Sequence, residues 1–292
     1  MAGSEGSDRL SGGLGADQLL GQGYDDWLMG GPEDDHLIGG PGTDLADYSF
    51  AGAGTGVTVD LAAGSSSGEG DDSLGDVEDV RGTEYQDSIT GDGEPNRLFG
   101  GPGPDEISGL GGDDLLVTEQ CCQEGVFVLD GGAGADALIA AGAGSLSGGD
   151  GDDTLTSDTR GATLDGGPGA DTADYRRVSG RDMPVYAEPP LDVEIDLLLG
   201  FARARECPDP CPQDTLVGIE NATGTDLGYD VLRGDAGPNV LKGGGGDDAI
   251  SGDDGDDVLY GGGHSLDGDA GDGGPGTDQC LEIERPTACE SA

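Results

Sequence analysis

Basic side chains are scarce: 12 Lys and Arg stand against 61 Asp and Glu, a formal net charge of −49 over 292 residues. Such a chain repels nucleic acid and anionic membrane surfaces, so neither is expected as a partner. Aromatic residues make up 4% and hydrophobic residues 33%, too little for the broad core of a globule. Low apolar content with high charge lies near the disordered class unless something neutralises the charge. No apolar run approaches the roughly 20 residues of a membrane span. The two histidines, His36 and His264, have no nucleophile-like context, and neither a GxSxG elbow nor an HExxH helix occurs. No Asp pair stands apart from its neighbours as a glycosidase acid and base would. The chain is read as noncatalytic.

What fills the chain is a nine-residue word. Its first copies run without a gap from Gly3 to Asp47: GSEGSDRLS, GGLGADQLL, GQGYDDWLM, GGPEDDHLI and GGPGTDLAD. Glycine crowds the front of each word, Asp holds position six, and an apolar residue (Leu10, Leu19, Leu28, Leu37) usually holds position eight. A helix would need apolar residues every three or four positions; this pattern offers one short strand after each six-residue turn. The chain must turn every nine residues and stack its turns. The word returns from Gly82 to Val117, less regularly from Gly131 to Asp174, then from Thr225 to Tyr260, and a last copy, GGPGTDQCL, ends at Leu281.

These copies resemble the RTX, or hemolysin-type, calcium-binding repeat. The resemblance implies an all-β parallel β-roll (a β-solenoid) that holds Ca2+ between stacked turns, with the position-six residue as side-chain ligand. Calcium takes six to eight oxygens, which carboxylates and backbone carbonyls supply, and glycine lets the backbone aim those carbonyls inward. Two words complete one turn, so residues eighteen apart stack: Asp8 over Asp26, Asp17 over Asp35, Asp26 over Asp44, Asp87 over Asp105, Asp153 over Asp171 and Asp230 over Asp248. Asn96 over Asp114 and Asn239 over Asp257 are variants with one charge fewer, expected to bind more weakly. Asp136 completes the candidate ligands. Bound calcium would cancel much of the excess charge.

Two segments interrupt the words in the same way. Asp47-Tyr48 leads through Val57–Leu61 and Val77-Glu78 to Gly82-Thr83; Asp174-Tyr175 leads through Val193–Leu197 and Ile219-Glu220 to Gly224-Thr225. The protein looks duplicated. Both segments alternate apolar and polar residues as strands do. They are read as calcium-free coils that continue the solenoid, with small caps between separate rolls as the alternative. The organisation is then a first run at 3–47, a link at 48–81, a second region at 82–174 with an insertion at 118–130, a second link at 175–224, and a third run with a C-terminal cap at 225–292.

Six cysteines point to an oxidising compartment. Cys207 and Cys211 flank a Pro-Asp-Pro loop, and Cys280 and Cys289 bracket the C-terminal segment; both pairs are expected to close, while the adjacent Cys121 and Cys122 are left open. No His and Cys spacing fits zinc. Met1-Ala2-Gly3 steps straight into the first word and is read as the start of a mature fragment or a shortened frame. The protein is expected to be secreted, because calcium sites of the extracellular kind fill only outside the cell. Its expected role is a structural or adhesive module, or alternatively a noncatalytic export and folding domain of a larger secreted enzyme, with an enzyme acting on polysaccharide as the last alternative. If a partner beyond calcium exists, the arginines of the second link (Arg176, Arg177, Arg181, Arg203, Arg205, near Tyr186 and Phe201) are where an acidic glycan or another copy would bind. Ion pairing with neighbouring acids is the plainer reading of them.

Overall fold

The computed structural model describes residues 1–50, 54–119, 125–176, 192–207, 210–263 and 268–290. Every regular element among the described residues is a β-strand. The chain forms two compact units, Met1–Ile139 and Ala140–Ala292.

In the first unit each word becomes a turn followed by a three-residue strand: Arg9–Ser11, Gln18–Leu20, Trp27–Met29, His36–Ile38 and Leu45–Asp47. Successive strands fall alternately into two parallel sheets. Leu10 stacks on Leu28 and Leu28 on Ala46 in one, and Leu19 on Leu37 in the other. A three-residue strand presents one side chain inward and two outward, which is why only position eight is apolar. Leu19, Leu28 and Leu37 are fully buried, and each contributes about 2 kcal/mol as apolar surface removed from water. The second run repeats the register, Ile89 on Ile107 and Leu98 on Leu116.

The first link departs from the simple coil expected of it. On one sheet it adds a single strand, Asp79–Arg81, paired directly on Leu45–Asp47. On the other it adds three, Thr58–Asp60, Ser65–Ser67 and Asp71–Gly75, joined antiparallel. The last of them pairs parallel with His36–Ile38 and the first with Ser88–Thr90. The link is thus a meander spliced into the solenoid between the two runs. Its length explains this: the chain between Asp47 and Asp79 is too long for one turn, and folding back satisfies its backbone donors and acceptors within the sheet.

The second unit follows the same plan. Leu155 stacks on Ala173, Leu232 on Ile250, and Leu241 on Leu259. Its link repeats the meander with Val193–Asp196, Phe201–Ala204 and Gln213–Val217, antiparallel to one another and flanked in parallel by Thr163–Asp165 and Val231–Arg233. Asn221–Thr223 pairs directly on Thr172–Asp174 in the opposite sheet. Cys207 is bonded to Cys211 and Cys280 to Cys289, with Cα atoms 5.6 and 5.8 Å apart. Cys121, Cys122, Arg177, Arg181, Tyr186 and His264 lie outside the described residues.

Candidate metal centre

The position-six side chains form a ladder along each unit. The N–H of one member donates to Oδ1 of the next: Asp8 to Asp26 (2.8 Å), Asp17 to Asp35 (2.8 Å), Asp26 to Asp44 (2.7 Å), Asp87 to Asp105 (3.0 Å) and Asn96 to Asp114 (2.8 Å) in the first unit. In the second they run from Asp153 to Asp171 (2.8 Å), Asp230 to Asp248 (2.9 Å) and Asn239 to Asp257 (2.8 Å). Asp136 takes the N–H of Asp114 at 2.8 Å across a longer loop. The ladder also uses residues that the nine-residue spacing does not reach. Asp72 receives Asp35 and Glu78 receives Asp44, each at 2.9 Å; Glu220 receives Asp171 at 2.9 Å. Asp269 receives Asp248 at 2.7 Å, Asp278 receives Asp257 at 2.9 Å, and Glu284 receives Asp269 at 2.8 Å. Asp278 was findable, since it holds position six of GGPGTDQCL. The others follow loops of irregular length, and no fixed interval points to them.

Oδ1 is therefore committed to backbone, and the chemistry turns on Oδ2. In Asp26, Asp35, Asp44, Asp114, Asp171, Asp248, Asp257 and Asp278 this oxygen is buried and meets no donor among the described residues. Leaving a buried charged oxygen without a partner costs several kcal/mol. Each such oxygen lies against the position-one glycine of its own word, and at the glycines of Asp26, Asp44, Asp114, Asp171, Asp257 and Asp278 a backbone carbonyl of the next turn stands beside it. A methyl group on Gly21 would collide with Asp26 Oδ2 and with the Gly39 carbonyl oxygen, and one on Gly39 with Asp44 Oδ2 and the Asp76 carbonyl oxygen. Glycine is required at those positions because a side chain would fill the space where carboxylate and carbonyl converge. An all-oxygen donor set with one negative charge per level fits a hard divalent cation such as calcium. Among the described residues no three His, Cys, Asp or Glu side chains converge on one point, so a cation held here would draw on backbone carbonyls or water besides the carboxylates.

The carboxyls show the strain of this arrangement in their proton affinity. Burial pushes Asp44 and Asp114 up to about 6, with nearby carboxylates adding to the shift and the ladder N–H bonds opposing it. Asp248 rises to about 7, again chiefly by burial, with Asp230, Asp269 and Asp247 as repelling neighbours. A bound cation would reverse this effect by favouring the ionised form.

The described arginines of the second link are occupied. Arg176 lies 2.6 Å from Asp174, Arg203 lies 2.7 Å from Glu194, and Arg205 donates to the Tyr229 carbonyl at 2.7 Å. In the same unit an open groove of about 410 Å³, floored by Ala249 and Ala270, is flanked by Arg233 and Arg285. These too are engaged, Arg233 with Asp253 at 2.7 Å and Arg285 with the Gly268 carbonyl at 2.5 Å.

The family model for the RTX calcium-binding nonapeptide repeat, four copies long, matches residues 1–23, 20–55, 90–120, 140–159 and 233–263. The chain carries RTX-type calcium-binding repeats in both units, and none is matched in residues 56–89 or 160–232, where the meanders lie. No curated protein matches it in sequence.

Proposed function

For a chain built of RTX-type repeats, we propose that this protein is a secreted calcium-binding module whose folding depends on the calcium found outside the cell, and that its role is structural or adhesive. The observation that carries the reading is the row of buried Oδ2 atoms that meet no donor among the described residues, from Asp26, Asp35 and Asp44 to Asp248 and Asp257. When bound, calcium supplies positive charge and coordination at these oxygens. The chain's own part is to hold each carboxylate by its ladder N–H, to bring a carbonyl beside it at a glycine, and to keep water away with the leucine rows.

Without the cation, stacked carboxylates repel one another, and the thin core has to offset both that repulsion and the ordering entropy of a glycine-rich chain. Two disulfides in the second unit accord with an oxidising, extracellular compartment. Magnesium should substitute poorly, because it demands a smaller octahedral site. The test is a calcium titration of the oxidised protein by circular dichroism and calorimetry, with magnesium as control. Strand signal that grows with calcium alone supports the reading; the same folded spectrum in excess chelator removes it.

A further inference from the structure

Not every rung of the ladder has an open oxygen: Asp8 takes the Ser4 N–H and Asp105 the Thr118 hydroxyl within the runs, and the other closed rungs lie in or beside the two meanders. In the first unit the Tyr48 hydroxyl lies 2.8 Å from Ser66 Oγ and 3.2 Å from Asp72 Oδ2, and Ser66 donates to that same oxygen at 2.9 Å. Asp72 Oδ1 already holds the Asp35 N–H, so both oxygens of a carboxylate only 4% exposed are satisfied by protein. One level on, Asp87 accepts the Thr83 N–H at 2.6 Å and its hydroxyl at 2.9 Å, besides the Val57 N–H at 2.7 Å. At the next, Asn96 turns its amide to the Glu78 carbonyl at 3.0 Å.

The second unit repeats each device at the matching place. Tyr175, fully buried, donates to Asp214 Oδ2 at 3.1 Å, while Oδ1 takes the Gly161 and Ala162 N–H groups at 2.9 Å. The Thr225 N–H and hydroxyl reach Asp230 Oδ2 at 2.6 and 2.9 Å, and the Asn239 amide reaches the Glu220 carbonyl at 2.7 Å. Tyr48 and Tyr175 stand at position one of the word that each meander replaces, where the runs keep glycine. The hydroxyl enters the space that glycine leaves open elsewhere.

We infer that hydroxyl and amide donors take the place of calcium at these rungs. Asp72, Asp87, Asn96, Asp214, Asp230 and Asn239 bind no ion, and the meanders are calcium-independent levels from which the calcium-loaded runs extend. Two consequences separate this from a merely weak site. The calcium count falls short of the number of position-six carboxylates, and the meanders keep order when calcium is withdrawn. The inference rests on the calcium reading of the runs, and the experiment tells the two apart.

Hydrogen–deuterium exchange of the full-length oxidised protein in excess chelator should leave the strands between residues 58 and 90 and between 193 and 233 exchanging at least tenfold more slowly than those between 9 and 47 or between 240 and 260. Tyr48→Phe, which keeps the ring and removes the hydroxyl, should erase most of that protection at 58–90 and leave 193–233 as an internal control. Uniformly fast exchange in chelator, with protection restored by calcium everywhere, overturns the inference while the calcium reading stands. Uniformly slow exchange in chelator overturns both. Unchanged protection in Tyr48→Phe overturns the role of the hydroxyl.

Discussion

The run around Asp26 and the meander around Asp72 solve one electrostatic problem in two ways. Both place a carboxylate in the ladder, bury it almost completely and commit its Oδ1 to a backbone N–H. In the run, glycine stands beside Oδ2 and the oxygen meets no donor among the described residues; in the meander, Tyr48 and Ser66 close it. On the function proposed above, the first arrangement needs a cation and responds to one. The second is self-sufficient and silent. A repeat protein that alternates the two has calcium-responsive stretches anchored on stretches that are not.

The sharpest way to break this comparison is to remove the metal. Excess chelator should melt the first run, and Trp27 reports on it directly: the only tryptophan in the chain, it donates from Nε1 to Asp47 at 2.6 Å beneath the Arg9 guanidinium, 4.0 Å from its ring centre. Its fluorescence should shift to the red in chelator and return with calcium. An unchanged emission maximum would end the distinction between runs and meanders.

Next in size is a pair of substitutions read by calorimetric stoichiometry. Asp26 serves the levels of both Asp8 and Asp44, so Asp26→Ala should lose about two ions, since ligand sets shared between turns fail together. Asp8→Ala at the start of the run should lose about one at most, because Ser4 already donates to Asp8 Oδ2 at 2.6 Å. Asp72→Ala should lose none. Equal losses at all three positions would contradict the stacking.

A smaller effect is expected at the C-terminal end of the second unit. Cys280 takes position eight, where other words place leucine, and its bond to Cys289 closes a loop nine residues along the chain. Replacing both by Ser should cost roughly 2–3 kcal/mol by chain entropy, read as a higher calcium midpoint for folding. No change in midpoint would show that the loop is held by its hydrogen bonds alone.

The subtlest effect is on acidity. Asp44, Asp114 and Asp248 have folded-state values of about 6 to 7, above the ordinary carboxyl value of 3.8. A folded state that binds protons more tightly than the unfolded chain is favoured at low pH, and that contribution disappears as pH rises through 6 to 7. In chelator, acidification from about pH 8 to about pH 5 should restore part of the strand signal of the runs, and calcium affinity should fall over the same window. Strand content that declines on acidification would reverse the sign and refute the assignment.

Periodicity made much of this architecture readable in advance. The nine-residue phase of Asp and Leu required a turn and a short strand per word, and the eighteen-residue stacking from Asp8–Asp26 to Asn239–Asp257 follows from two words per turn. Those features are local and repeated, so each copy restates the evidence for the others. The links could be seen as a duplication, but their three antiparallel strands could not, because the choice between one long coil and a folded-back meander depends on which neighbouring strand receives each segment.

The sequence by itself determined the solenoid, its leucine rows and the identity of most ladder carboxylates, because spacing alone brings those residues into line. Only the tertiary structure decided which carboxylates keep an open oxygen. Tyr48 and Asp72 are separated by 24 residues, Tyr175 and Asp214 by 39, and no interval in the chain announces either contact. Whether a buried Asp needs a cation depends on the donor that reaches its second oxygen, and that donor arrives across the fold.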